Sequence, residues 1–401
     1  MFADKKGQRK IRITAKCIPN DIVMDILSGL HAKTLSNFRC VSKSWCNLIS
    51  DPYFINLHRR RSHGQKPLLL VSYYDKSHLQ MTCYSYPNEK PPSVHNQCEF
   101  QVDGEIVNIH SSPKGSLACY CDNGIVHVCN PSTREHLALP KGSSANAWPP
   151  ILGFAYLPLT NEYKVVHLFF VQGGREVLFD DFEIRCEILT LNHKANPESL
   201  SWKLVNGKCP YPVHEWNHPA FANEALHWTL NPVYVSLYER GRPLIVSFDV
   251  RNEEFGVIEG PESCSWSDSL NSCVVELQGS LAFVASCWYE KFRFGVWVMR
   301  DYNHRLWSKE FTINMKRIDY FGDFNYLHDF LPIPKDMRNE DGEILLECRH
   351  KQYWYNIETE SFTPVLLPAK HNKKCKFNLY WDSFFSLGDN SSLAANLDPT
   401  L

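Results

Sequence analysis

Between residues 18 and 58 the apolar positions recur at helical spacing, and from about residue 66 onward they alternate instead. In IPNDIVMDILSGL, Ile22, Ile26 and Leu30 fall at i, i+4 and i+8, with Val23 and Leu27 in a second row beside them. A stripe this wide predicts an amphipathic helix. Pro19 and Asp21 suit its start and Gly29 its end. Leu35 and Phe38 mark a second short helix, and a third opens at Ser42 with Trp45, Leu48 and Ile49 on one face until Asp51-Pro52 breaks it. Helices this short bury too little to offset ordering their backbone, about 1 to 2 kcal/mol per residue, so they require a partner surface.

The alternating region predicts short strands separated by Gly, Pro, Asn and Asp turns. One turn repeats: a strand ends in Asn or Asp, polar residues follow, and the next strand opens after Glu or Arg. It occurs in VCNPSTREHLALP (128–140), SFDVRNEEFGVIEGP (247–261) and WYNIETESFTPVLLP (354–368), with weaker copies at 189–205 and 298–311. Counted from Asn130, Asn192, Asp249, Asp301 and Asn356, the steps are 62, 57, 52 and 55 residues. Kelch-type repeats run at roughly 50, each one a four-stranded propeller blade. The expected blades are 105–140, 152–206, 220–260, 273–313 and 327–368, with the repeated turn between third and fourth strands. Strands at 68–73 and 80–86, joined by one at 376–387, complete a sixth blade that closes the ring and removes exposed sheet edges. The fold class is therefore mainly β, a small helical module followed by a kelch-like propeller of about six blades. A pair of β-sandwiches is the alternative, but gives no reason for the turn to recur.

The segment IPNDIVMDILSGLHAKTLSNFRCVSKSWCNLISDPYFINLHRR closely resembles the F-box, a small helical module that binds the Skp-type adaptor of SCF ubiquitin ligases. The resemblance implies that Ile18, Pro19, Ile22, Ile26, Leu27, Leu30, Leu35, Phe38, Val41 and Trp45 pack within the module or against the adaptor. His31 and Ala32 depart from the family pattern, which carries Pro then Val, so a looser turn is expected after the first helix. An ordinary helical cap on the β domain would share the periodicity, though not the motif. The β region resembles the F-box-associated, kelch-like domains common in plant F-box proteins, through GFAYLPLTNEYKVVHLF (153–169), AFANEALHWTL (220–230), IVSFDVRNEEF (245–255) and VWVMRDYNHRLWSKEFTI (296–313). The expected domains are a basic tail 1–16, an F-box 17–61, a linker 62–66, a propeller 67–387 and a disordered tail 388–401.

Composition narrows the partners. At 401 residues with 44% hydrophobic content, the chain can bury an ordinary core. With 42 basic against 44 acidic residues, the net charge of -2 creates no field drawing the whole molecule to nucleic acid or anionic lipid. Its 15 cysteines follow a basic, polar start without the apolar stretch of a signal peptide, and read as reduced thiols of the cytosol or nucleus. The cluster Lys5, Lys6, Arg9, Lys10 suits a nuclear-import signal or a solvated tail. Val165–Val171 is interrupted by His167 and falls far short of the roughly 20 residues that span a bilayer.

Catalytic motifs fail on context. His214-Glu215-Trp216-Asn217-His218 has the H-E-x-x-H spacing of a zinc helix, but Pro210, Pro212 and Pro219 crowd it. No metal is assigned. Cys119, Cys121, His127 and Cys129 could meet across a hairpin, yet buried cysteine is more often apolar filler. Asn390-Ser391-Ser392 is a glycosylation acceptor only in a secreted chain. No phosphate loop, nucleophile elbow or copper constellation of an oxidase is found, and no cofactor is assigned.

The resulting expectation is a non-catalytic substrate receptor of an SCF ubiquitin ligase. Its F-box docks a Skp-type adaptor and, through it, cullin and RING subunits, while its β domain holds an unidentified target protein. An interaction or lectin-type propeller acting outside a ligase is the alternative, since fold does not decide function. Target contacts are expected on the loops 141–151, 207–219, 261–272 and 314–326, which share one propeller face and carry Trp148, Tyr211, Trp216, Trp266, Tyr320, Phe321 and Phe324. The opposing possibility is that these rings wedge between blades as core.

Overall fold

The computed structural model describes residues 18–387 except 66, 76–79, 88–95, 102–105, 112–116, 123, 144–150, 173–182, 194–195, 216, 238–240, 287–291, 319–330, 338–342, 349–350 and 366–374. The tails expected at 1–16 and 388–401 lie outside the described residues.

The N-terminal module has α1 (Asn20–Ser28), α2 (Ala32–Phe38), α3 (Lys43–Ile49) and a fourth helix, α4 (Pro52–His63). Ser42 caps α3 by accepting from the Trp45 N–H at 3.2 Å, and Asp51 caps α4 by accepting from the Tyr53 N–H at 2.7 Å. Asp51-Pro52 therefore both ends α3 and starts α4, because proline in the first turn removes an N–H that has no helical partner. Helix α4 continues through Ser62 and His63, so the chain leaves it at Gly64, later than the expected linker start. Leu27, Ala32, Leu35, Ile49, Phe54 and Ile55 form the core of the module.

The remainder is a six-bladed β-propeller, each blade a four-stranded antiparallel sheet. In chain order the strands begin with β1 (Leu68–Asp75), β2 (Gln80–Pro87) and β3 (Asn96–Gln101). Blade one is β4 (Ile106–Ser111), β5 (Ala118–Asp122), β6 (Ile125–Asn130) and β7 (Glu135–Ala138). Blade two is β8 (Ile151–Leu157), β9 (Glu162–Gln172), β10 (Glu183–Leu191) and β11 (Lys203–Leu204). Blade three is β12 (Ala220–Ala222), β13 (Ala225–Thr229), β14 (Leu244–Asp249) and β15 (Glu254–Glu259), with helix α5 (Pro232–Leu237) between its middle strands. Blade four is β16 (Ser272–Leu277), β17 (Ser280–Ser286), β18 (Arg293–Asp301) and β19 (Leu306–Asn314). Blade five is β20 (Ile333–Met337), β21 (Glu343–Cys348), β22 (Lys351–Asn356) and β23 (Ser361–Pro364). The last strand, β24 (Cys375–Tyr380), pairs antiparallel with β1 from Leu68↔Tyr380 to Tyr73↔Cys375, so blade six is built from both ends of the domain.

The repeated turn has a physical origin. Asn130, Asp249, Asp301 and Asn356 each accept through Oδ1 from the backbone N–H two residues on, at 3.0, 2.8, 3.0 and 3.0 Å. Four residues after each, Arg134, Glu253, Arg305 and Glu360 adopt left-handed backbone with φ of 63°, 59°, 56° and 51°. The short side chain holds the turn while the left-handed residue reverses the chain into the fourth strand. The copy at Asn192 departs: Asn196 instead caps a 3-10 turn at Pro197–Ser199 by accepting from the Glu198 N–H at 3.1 Å.

Apolar clusters fill the contacts between successive blades, including blade six against blade one through Leu70, Met81, Phe100 and Tyr120, and blade five against blade six through Leu345, Trp354 and Phe377. The closing strand is shorter than expected. Residues 381–387 are not a strand; they run on from β24 as a largely buried strap. Strand β3 was not among the expected strands, although Cys98 and Phe100 alternate inward and Gln97 and Glu99 outward.

Candidate functional site

The two apolar rows of α1 point in different directions. Leu27, with Leu35 from α2, is buried in the helical core, and Leu30, Phe38 and Trp45 are half-buried against it, Phe38 and Trp45 meeting edge-on at 5.3 Å. Ile18 (59% exposed), Ile22 (51%), Ile26 (58%) and Val41 (63%) face outward, as do Pro19 and, unanticipated from the sequence, Tyr53 (68%). Several large apolar side chains left exposed on one small module point to a surface that a partner covers. The ten residues expected to act together therefore divide into five that face outward and five that support them.

The turn after α1 is anchored rather than loose. Asp382, on the strap, accepts from the Ala32 N–H at 2.7 Å and from the Ser132 hydroxyl, and its carboxylate lies 3.5 Å from His31 Nδ1. Burial alone would raise the Asp382 carboxyl, but hydrogen bonds from His31, Ser132 and Ala32 outweigh it and hold it below the ordinary carboxylate range. The bond to Asp382 raises His31 above its ordinary value, against the opposing pull of burial. Nearby His58, stacked on Phe54 and hydrogen-bonded at 2.8 Å to the Leu30 carbonyl, is lowered by burial and stays neutral at pH 7.

These shifts set a pH window. With its folded value raised, His31 contributes stability fully present below about 6.5 and lost as pH rises through the raised value; Asp382, with its folded value depressed, contributes stability present above about 3.8 and lost as pH falls through the lower one. The junction is expected to be tightest between about pH 4 and 6.5 and to loosen on the alkaline side. Tryptic cleavage at Lys33, followed from pH 6 to pH 8.5 and normalised to a reference peptide, should accelerate in the wild type and lose that excess in His31→Ala. An identical profile in both proteins would remove His31 from the junction.

The propeller has two unlike faces. Because antiparallel strands alternate in direction, first-to-second and third-to-fourth turns emerge on one face, and second-to-third loops and blade-to-blade connections on the other. The helices sit on the first. Arg59 lies over the Tyr156 ring at 5.1 Å and donates to the Asn161 side chain on the first turn of blade two, while Ser132 belongs to the repeated turn of blade one. The opposite face carries the loops expected to bind a target.

Of the seven aromatic residues expected there, Trp148, Trp216, Tyr320, Phe321 and Phe324 lie outside the described residues. Tyr211 is half-buried, 6.1 Å from Tyr234 of α5. Trp266 is a correction: only 6% exposed, it packs in the core between blades two and three and donates Nε1–H to the Val235 carbonyl at 2.7 Å. It pins α5 from below and has no free face. Among the described side chains of this helix the exposed large apolar one is Val233.

The innermost strands enclose a central cavity of about 170 Å³, lined among others by His110, Phe154, Phe221, Glu276, Lys335 and Asn378. Lys335 pairs with buried Glu347 at 3.0 Å, and His110 and His218 meet nitrogen to nitrogen at 3.2 Å. The H-E-x-x-H segment is not helical at His214, whose N–H donates to the Thr229 carbonyl at 2.9 Å beside the Val213↔Leu230 bridge. Cys119 and Cys121 share a face with Val128 and Val126, whereas Cys129 and His127 stand opposite Ala118 and Tyr120, so the two pairs face away from each other. Burial pushes the Cys119 and Cys129 thiols up, away from reactivity. Among the described residues no group of three His, Cys, Asp or Glu is placed to hold a metal ion, and no helix is long and apolar enough to cross a membrane.

Against known proteins, residues 16–57 match the F-box domain and residues 68–383 match the F-box associated beta propeller domain. The chain belongs to the F-box-associated propeller family. Similar family members in Arabidopsis thaliana include the putative F-box protein At3g52320, 30% identical over 336 residues, which span 79% of this chain and 78% of that protein. F-box protein CPR1 is 28% identical over 373 residues, 87% of this chain and 84% of that protein. An F-box joined to this propeller, in a chain whose relatives are F-box proteins, supports a general role in SCF substrate recognition, and F-box proteins are typically adaptors without catalytic chemistry.

Proposed function

We propose that this chain is the substrate receptor of an SCF-type ubiquitin ligase, docking a Skp-type adaptor through the outward row of its F-box and holding a target protein on the far face of the propeller. The observation that carries the reading is the exposed set Ile18, Ile22, Ile26 and Val41 on a module whose core is built from other side chains, Leu27, Leu35 and Ile49 among them. Such a row has no internal role, and burial against a partner would contribute about 1.5 to 3 kcal/mol per side chain. Catalysis here is proximity: a target lysine held near the thioester of a charged conjugating enzyme reacts as if unimolecular. That benefit scales with rigidity, and the strap between helices and ring supplies it. Tyr211 and Trp148 remain candidate target contacts, with Trp216, Tyr320, Phe321 and Phe324 on neighbouring loops.

The test separates surface from core. Ile22→Asp with Ile26→Asp is expected to weaken adaptor binding on the order of 1,000-fold, at about 2 kcal/mol for each hot-spot residue. Stability should change by less than about 0.5 kcal/mol, as for other surface substitutions. Leu27→Asp with Trp45→Ala should abolish binding by a different route, burying a charge and leaving a cavity, so that the F-box itself unfolds. Co-purification of cullin with the Ile22/Ile26 variant at wild-type level would contradict the assignment.

A further inference from the structure

The F-box core is not completed by the F-box. Phe384, some 330 residues beyond Phe54, is 4% exposed in the same cluster as Leu27, Leu35 and Phe54, and meets His58 edge-on at 5.5 Å. Two residues earlier, Asp382 satisfies the Ala32 N–H at the start of α2, a first-turn donor with no acceptor inside the helix. His31, where the family pattern carries proline, adds a side-chain contact to the same carboxylate.

The strap is held just as firmly by the ring. Asn130, in the repeated turn of blade one, donates Nδ2–H to the carbonyls of Ser383 at 3.1 Å and Phe385 at 2.9 Å. Phe385 and Leu387 are buried in the cluster between blades one and two, Phe385 edge-on to Tyr163 at 4.7 Å. Glu135 accepts from the Leu387 N–H at 2.8 Å. At its other end the strap is continuous with β24, whose pairing with β1 closes the propeller. The side chains divide in allegiance: Phe384 serves the helices, Phe385 and Leu387 serve the blades, and Asp382 bonds both the Ala32 N–H and Ser132 of blade one.

We infer that residues 381–387 couple ring closure to the fold of the F-box, so that the helices hold their adaptor-docking arrangement only on a closed propeller. If β24 leaves β1 and draws the strap off with it, Phe384 and Asp382 are withdrawn, and four short helices keep a core with a missing side chain and an unpaired N–H. A receptor whose propeller is unfinished or opened is thereby withheld from the ligase. Linkage makes the effect reciprocal, so adaptor binding must favour closure. The consequence for the adaptor rests on the proposed function; the coupling of helices to ring does not.

Amide hydrogen exchange on the full free chain tests the coupling without the adaptor. Phe384→Ala is expected to accelerate exchange in α1–α3 at least tenfold while β13–β19, across the ring, stay within twofold of wild type. Unchanged exchange in α1–α3 overturns the inference. If Phe384→Ala exposes the whole chain, Asp382→Asn, which keeps the volume, decides by the same readout, with a severalfold acceleration expected in α2 and no change overturning the idea. The wild type gives a reading that needs no variant: a purified Skp-type adaptor should slow exchange of residues 375–387 at least threefold. Bound adaptor with no slowing there contradicts the coupling, whereas no adaptor binding contradicts only the proposed function.

Discussion

A chain ending at Pro368 is expected to lose its cooperative thermal transition. The deletion removes β24 from its pairing with β1 and strips Phe377, Tyr380, Phe384, Phe385 and Leu387, all at least 96% buried, from three separate clusters and the F-box core. At about 1.5 to 3 kcal/mol for each buried apolar side chain, five such losses approach or exceed the roughly 5 to 15 kcal/mol that ordinarily holds a domain together. An opened ring also presents β1 as an unpaired edge, so the truncated chain should aggregate as well as melt early. Circular dichroism and light scattering through a thermal ramp read both effects. A midpoint within a few degrees of the full chain would show that closure by β24 contributes little.

Replacing Trp266 with alanine is the second large effect, and its sign separates two meanings of an aromatic loop. A ring this buried, with its indole N–H bonded to the Val235 carbonyl, is expected to cost about 3 to 5 kcal/mol when truncated. The loss should appear in denaturant midpoints with little change in slope. Val233→Asp on the neighbouring helix should leave stability within about 0.5 kcal/mol, because that side chain is exposed. Should Trp266→Ala be as stable as wild type, the packing of α5 against the blade connection is misassigned.

The blades were legible because each repeated turn needs the same two things from its residues, a short Asx side chain and a position that tolerates left-handed backbone. Those demands recur at Asn130, Asp249, Asp301 and Asn356 whatever the strands between them carry. The F-box motif was legible for a related reason, since its caps and apolar rows are local. Periodicity could not say which row of α1 faces out, because both are apolar and only packing assigns Leu27 inward and Ile26 outward. Helix α4 was hidden by Asp51-Pro52, which reads as a stop unless the proline is also taken as a first-turn residue. The strap was illegible for a deeper reason. Phe384 and Phe385 are adjacent and point into different cores, a pattern with neither helical nor strand period, and their partners lie hundreds of residues away. Aromatic composition likewise carried no direction: Trp266 and Tyr211 sit on similar loops, one sealed into the core and the other half-open.

The strap also recasts the departure at His31 and Ala32. A proline at position 31 would carry no imidazole toward Asp382, so this chain trades the family's stiff turn for a contact that crosses between domains. Stiffness then resides in the junction rather than in the turn.

In the proposed function this chain delivers its propeller to a ligase through the F-box. Size-exclusion chromatography with light scattering, on the purified full chain mixed with a purified Skp-type adaptor, tests it most directly. A single species of one receptor and one adaptor is expected, lost in Ile22→Asp with Ile26→Asp while that variant alone elutes as a folded monomer. Wild-type chain and adaptor eluting apart at micromolar concentration would contradict it.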